Sequence, residues 1–163
     1  SMDECLPEAE YGPGRKYPHE KCGKYIMDLV KIPEGTNEFP NHRRMDHSKD
    51  VQKTMSLVKE GKYMPKNLKQ KGPKKKTFQT VYRRVNRDKP APSMIPGHSA
   101  FPIHPTENRS LTFREAARIQ TFPDYFEFFG TTIDQALAVG NAVPPLFVKK
   151  LGEHIKNLLK EKK

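Results

Sequence analysis

The 163-residue chain has no tryptophan, two cysteines and no long apolar run. Two cysteines, Cys5 and Cys22, cannot build a disulfide framework, so a reducing compartment is the default. Without a long apolar run there is no candidate for a helical membrane span or a secretory leader. Hydrophobic residues make up 34% of the chain and are richer after about residue 100. That is thin for a self-sufficient core. Either part of the chain is poorly ordered or it buries surface against something else. Acidic residues are also scarce. Lys and Arg outnumber Asp and Glu 30 to 19, a formal net charge of +11. The excess points to an anionic partner, nucleic acid before an acidic membrane surface.

The organisation follows from local signals. Ser1-Met2 reads as a cloning remnant, and residues 1–20, rich in Pro, Gly and charge, as a loose arm. "KYIMDLVKIP" (24–33) and "FQTVYRRV" (78–85) have strand composition. A helix is expected from about Ser48, with Val51, Met55 and Val58 on one face and Gly61 as the stop. "KNLKQKGPKKK" (66–76) is a lysine-rich loop. Pro90, Pro92 and Pro96 exclude a central strand over 87–98.

The last third is more legible. In "LTFREAARIQTF", Thr112 and Glu115 form a capping-box pattern, predicting a helix that runs to about Phe122. "TTIDQALAV" predicts a second helix with Gly140 as its left-handed terminator. The pair Pro144-Pro145 opens a third, with Phe147, Leu151, Ile155 and Leu158 on one face and Lys149, Lys150, Lys156 and Lys160 mostly outside it.

"RSLTFREAARIQTFPD" (109–124) and, sixteen residues on, "GNAVPP" (140–145) occur in the order of the last two signature blocks of the DNA (cytosine-5)-methyltransferases, and the chain resembles that family. "YRRVNRDKPAPSMI" and "PIHP" resemble the end of its target-recognition domain, and "PNH", a helical run and "KEG" resemble the entry to it. The likeness is strong over about 78–160, weaker over 39–77 and absent before that. It implies an α+β fold: a small mixed recognition lobe with a few short strands and loops, then three C-terminal helices that dock on an absent α/β catalytic domain. The expected division is an arm at 1–20, a recognition region at 21–105 and a helical segment at 106–163.

The resemblance also implies roles. Asn141, with the backbone of Ala142 and Val143, should touch bound S-adenosylmethionine. Ala138 stands where the family often has Gln, so that amide contact is missing. Double-stranded DNA is the expected partner. Arg83, Arg84 and Arg87 suit base reading, since arginine is the usual bidentate partner of guanine. Lys74, Lys75 and Lys76 suit phosphates. Ser93 stands where the family has Thr and keeps a hydroxyl. Arg109 and Arg114 can reach phosphates; for Arg114 a buried structural ion pair, with Glu115 or another carboxylate, weighs equally.

The chemistry needs a cysteine thiolate that attacks the cytosine ring, which in the family follows proline. No Pro-Cys occurs here, and no Glu-Asn-Val or aromatic-x-Gly-x-Gly. The expectation is that the catalytic half, with nucleophile and glycine-rich turn, lies on a partner chain or on the rest of an excised enzyme, and that this chain alone is inactive. Base flipping and methyl transfer to carbon 5 of cytosine, as in restriction-modification, would follow from the assembly. The setting would be prokaryotic or phage cytoplasm, or a nucleus if the source is eukaryotic. A non-catalytic DNA-binding remnant or regulator is the alternative. A membrane-surface role ranks third, because the lysines cluster in a loop rather than on a helix face. Cys5, His19, Cys22, His42 and His47 match no tight zinc spacing, so no metal is expected.

Overall fold

The structure, a computed structural model, describes residues 40–65, 83–95 and 101–161. The expected arm, the strand at 24–33, most of the strand at 78–85, and the lysine loop lie outside the described residues. Four helices occur among them: α1 (Lys49–Ser56), α2 (Phe113–Ile119), α3 (Thr132–Asn141) and α4 (Pro145–Glu161). The fold is thus small, mainly helical and short of strands.

Between α1 and α2 the backbone is held by three isolated bridges: Tyr63 with Arg83 antiparallel, Arg84 with Ile103 parallel, and Ile103 with Ser110 antiparallel. Four short extended pieces therefore lie side by side. Pro90 and Pro92 sit in an irregular stretch with no bridge. Gly61 makes the preceding reversal at φ +71, and its N–H donates to the Arg84 carbonyl at 3.0 Å. A side chain there would be strained by the φ and would press on Asn86.

The helices form for local reasons. Ser48 caps α1, its hydroxyl accepting from the Val51 amide. The face of α1 read from the sequence is the one buried: Met55 and Val58 pack with Met64 and Ile103, and Val51 leans on them. At α2 the Thr112–Glu115 capping box is complete. The helix ends at Ile119, earlier than the expected Phe122. Thr121 takes a left-handed conformation, φ 65, donating to the Arg118 carbonyl, and Phe122 donates to Ala117, both at 2.9 Å. This is a Schellman stop with a β-branched residue where glycine is usual.

The main core surrounds α2. Ala116 and Ala117 are fully buried, and their small side chains let α3 approach through Ala136 and Val139. Phe101, Phe113, Phe122 and Phe128 fill the remainder, Phe101 meeting Phe113 edge-on at 5.7 Å. Asn41, at φ 62, staples the entry of the chain to this core. Its amide donates to the Phe128 carbonyl at 2.7 Å and to Gln135 at 3.1 Å, and its oxygen accepts from the Phe128 N–H at 2.9 Å. By contrast, α4 buries none of its residues against the described part.

Candidate nucleic-acid interface and cofactor turn

The turn joining α3 to α4 is built from both ends. Thr131 and Asp134 start α3 with a second capping box, a Thr-x-x-Asp pattern carried by the local sequence. Gly140 is not the left-handed terminator expected of it. It lies inside α3, which runs on to Asn141, and Ala142 is extended. The helix stops with two residues left before Pro144, which cannot continue it because the ring removes the N–H that would bond the Gly140 carbonyl. Pro144 and Pro145 carry no N–H, so Leu146 is the first donor of α4.

Two adjacent residues at the end of α2 clamp this turn. The Gln120 amide donates to the Val139 carbonyl at 3.3 Å, and the Thr121 hydroxyl accepts from the Leu146 N–H at 3.1 Å. The span from 139 to 146 is thereby tied at both ends, with Asn141 between. Asn141 is exposed, and its amide has no hydrogen-bond partner among the described residues. Val143 beside it is 58% exposed. An open amide next to an open apolar side chain fits one wall of a pocket for a ligand with polar and apolar parts. The amide can both donate and accept.

Beyond the turn lies an unpartnered apolar surface. Phe147, Leu151, Ile155 and Leu158 fall on one face of α4 and all are exposed, as are Ile133 and Leu137 on α3. Exposed apolar side chains lined up on one helix face are the kind of surface that proteins use for docking.

The arginines separate sharply. Arg84 is buried and spends all five N–H donors internally: on the carbonyls of Val58, His104 and Met55 at 2.7 Å, of Glu107 at 2.6 Å, and on the Asn108 side chain at 2.8 Å. Burial pulls its pKa below the ordinary arginine value. It is a structural clamp on the end of α1, not a base reader. Arg87 is exposed and pairs with Glu60 through backbone and side chain; the hydrogen bond from Arg87 holds Glu60 below the usual carboxylate range. Arg83 is the one of the three bound neither to a carboxylate nor to a set of backbone carbonyls among the described residues; its Nη1 donates to the Tyr63 hydroxyl at 3.4 Å. Ser93 is exposed, and Lys74, Lys75 and Lys76 lie outside the described residues.

Arg109 and Arg114 are not phosphate contacts either. Arg109 is 5% exposed and forms a fork on Glu115, both bonds 2.8 Å, with Glu107 on its other side. Burial opposes the Arg109 charge, but the two carboxylates outweigh it and raise its pKa. Arg114 is wholly buried and donates to the carbonyls of Pro40, Pro123 and Phe126. Among the described residues it lies 3.8 Å from the Asp124 carboxylate, while Glu115 pairs with Arg109. The block 109–124 is therefore architectural: a guanidinium shows in sequence, but the carbonyls it will meet do not. His42 joins the same network, its Nδ1 lying 3.0 Å from the Thr112 hydroxyl.

Among the described residues no group of His, Cys, Asp and Glu could hold a metal ion, and no helix is long and apolar enough to cross a membrane.

A family model described as C-5 cytosine-specific DNA methylase matches residues 8–157. The chain belongs to that family. The type II methyltransferase M1.HphI of Haemophilus parahaemolyticus is 37% identical over 142 residues, which are 84% of this chain and 37% of that protein. The type II methyltransferase M.AquIB of Picosynechococcus is 35% identical over 152 residues, 83% of this chain and 100% of that protein. A crystal structure of a putative DNA modification methyltransferase encoded within an E. coli prophage superposes with a TM-score of 0.70 at 24% identity, over 95% of this chain and 45% of that one. The last likeness shows the fold. The chain thus spans 37% of the Haemophilus relative, 45% of the solved chain and the full length of the Picosynechococcus one.

Proposed function

We propose that this chain is the target-recognition and cofactor-closing part of a DNA (cytosine-5)-methyltransferase whose nucleophile comes from residues outside these 163. The observation that carries the reading is the open Asn141 turn, clamped at both ends and flanked by the uncovered apolar face of α3 and α4. An α/β catalytic domain is the natural cover for that face, and docking there would bring the turn against the cofactor. Asn141, Ala142 and Val143 would hold S-adenosylmethionine, which when bound supplies the methyl group for carbon 5 of cytosine. The recognition lobe, residues 21–105, would read double-stranded DNA, with Lys74, Lys75 and Lys76 on phosphates. A relative aligned along its whole length is named as a type II methyltransferase, which supports DNA methylation as the reaction this chain serves.

The test is Asn141→Ala in the assembled enzyme, with S-adenosylmethionine and DNA affinities measured separately by titration. Losing one hydrogen bond of about 0.5–1.5 kcal/mol should weaken cofactor binding roughly threefold to tenfold and leave DNA binding nearly unchanged. Unchanged cofactor affinity, or tight cofactor binding by this chain by itself, contradicts the reading.

A further inference from the structure

Tyr63 and Arg83 face each other across the antiparallel bridge that closes residues 64–82. That span carries Lys66, Lys69, Lys71, Lys74, Lys75 and Lys76 and no Asp or Glu. The Arg83 guanidinium carbon lies 5.1 Å from the centre of the Tyr63 ring, and its Nη1 is 3.4 Å from the Tyr63 hydroxyl. Tyr63 is 51% exposed, an open aromatic face beneath a cation. The Nε of Arg83 is shut in with no partner, so a side-on contact through Nε is closed. What remains is the end-on pair, Nη1 and Nη2.

Several other described arginines are committed, although Arg43 is exposed. Arg84 is spent on carbonyls, Arg87 on Glu60, Arg44 on Glu107 and Arg118 on Asp124. The Tyr63 ring and hydroxyl hold the guanidinium in place while using one of its five donors, which reduces the entropy lost in ordering a long side chain. With one Nη1 hydrogen on the Tyr63 hydroxyl, the second Nη1 hydrogen and both Nη2 hydrogens remain for the O6 and N7 acceptors of a guanine major-groove edge.

We infer that Arg83, held on the Tyr63 ring, is the base-reading arginine of this lobe and takes a guanine end-on, with Tyr63 as its positioning residue. The inference rests on the proposal that this lobe reads DNA. It assigns to one arginine a role that "YRRVNR" leaves divided among three, and it adds a tyrosine twenty residues away in sequence.

The experiment selects from a duplex library with a randomised core, at fixed salt, using the full chain. The parent should enrich a guanine at one position. Arg83→Ala should lose that guanine and keep any remaining preferences, a loss of roughly fivefold to 150-fold in discrimination. Arg83→Lys should fail in the same way, because an ammonium has no fork. Tyr63→Ala should weaken the preference, and Tyr63→Phe, which keeps the ring, should restore most of it. Replacing the selected guanine by 7-deazaguanine should weaken the parent and leave Arg83→Ala unaffected. Both side chains lie at the surface, and circular dichroism of each variant checks the fold.

An unchanged enriched site in Arg83→Ala overturns the inference. So does a uniform loss across all sequences with a shallower salt dependence, the mark of a phosphate contact. A parent that binds duplex with no enrichment also overturns it while leaving the DNA-binding lobe standing. A parent that binds no DNA at any salt removes the proposed function as well.

Discussion

Arg109 and Glu115 form a buried two-pronged ion pair, with both nitrogen–oxygen distances at 2.8 Å and Glu115 wholly enclosed. Glu115 also accepts the Thr112 N–H at 2.7 Å, so one carboxylate closes a helix cap and anchors the strand-like piece before it. Burial alone would raise the Glu115 pKa. The hydrogen bonds and charge of Arg109 outweigh it and bring the pKa to about 2. A carboxylate with a depressed native pKa stabilises the fold above its unfolded value, and that stability is lost as pH falls. Thermal melts should therefore show stability falling from about pH 4.5 towards pH 2, and Glu115→Gln should flatten that dependence. Arg109→Ala strands the carboxylate and should cost roughly 3–5 kcal/mol in chemical denaturation at neutral pH. A neutral effect would mean that the pair is not buried as described.

Arg84 and Arg83 are neighbours with opposite assignments. Arg84→Lys keeps the charge but offers three donors where five are used, so buried carbonyls lose partners at roughly 1–3 kcal/mol each. Denaturation should report a loss of at least about 2 kcal/mol for Arg84→Lys, and Arg83→Lys should stay within about 0.5 kcal/mol of the parent. Equal stabilities would place the two arginines in the same environment, against the geometry.

That contrast shows where the sequence is readable. The Thr112 cap, the buried face of α1 and the start of α4 at the proline pair depend on contacts within a few residues, and local pattern carries them. The end of α2 does not. Thr121 leaves the helix in a left-handed conformation, and its hydroxyl accepts from Leu146, 25 positions away. Gly140 invited a left-handed stop, but the prolines after it terminate α3. The roles of Arg84, Arg109 and Arg114 depend on carbonyls and carboxylates gathered from distant segments. Tyr63 was missed because nothing in its neighbourhood marks it; only its pairing with Arg83 does.

Thr121 sets a third expectation. Its hydroxyl caps α4, and its backbone holds a conformation that β-branched residues avoid. Thr121→Val keeps the shape and removes the acceptor, leaving the Leu146 N–H without its partner. Hydrogen exchange at Leu146 should quicken, and S-adenosylmethionine affinity of the assembled enzyme should fall severalfold, about 0.5–1.5 kcal/mol, with DNA affinity unchanged. Thr121→Ser should restore both. Exchange at Leu146 that is the same in Thr121→Val and the parent would show that the clamp does not act.

Transfer of labelled methyl from S-adenosylmethionine to duplex DNA tests the central claim most directly, run on this chain alone and with a catalytic chain that carries the Pro-Cys nucleophile. This chain alone should give no transfer, and the two together should give transfer that is lost when Leu151→Asp or Ile155→Asp places a charge on the exposed face of α4. Those positions are open, so the variants should melt like the parent. Transfer by this chain alone that disappears when Cys5 or Cys22 is replaced would contradict the account.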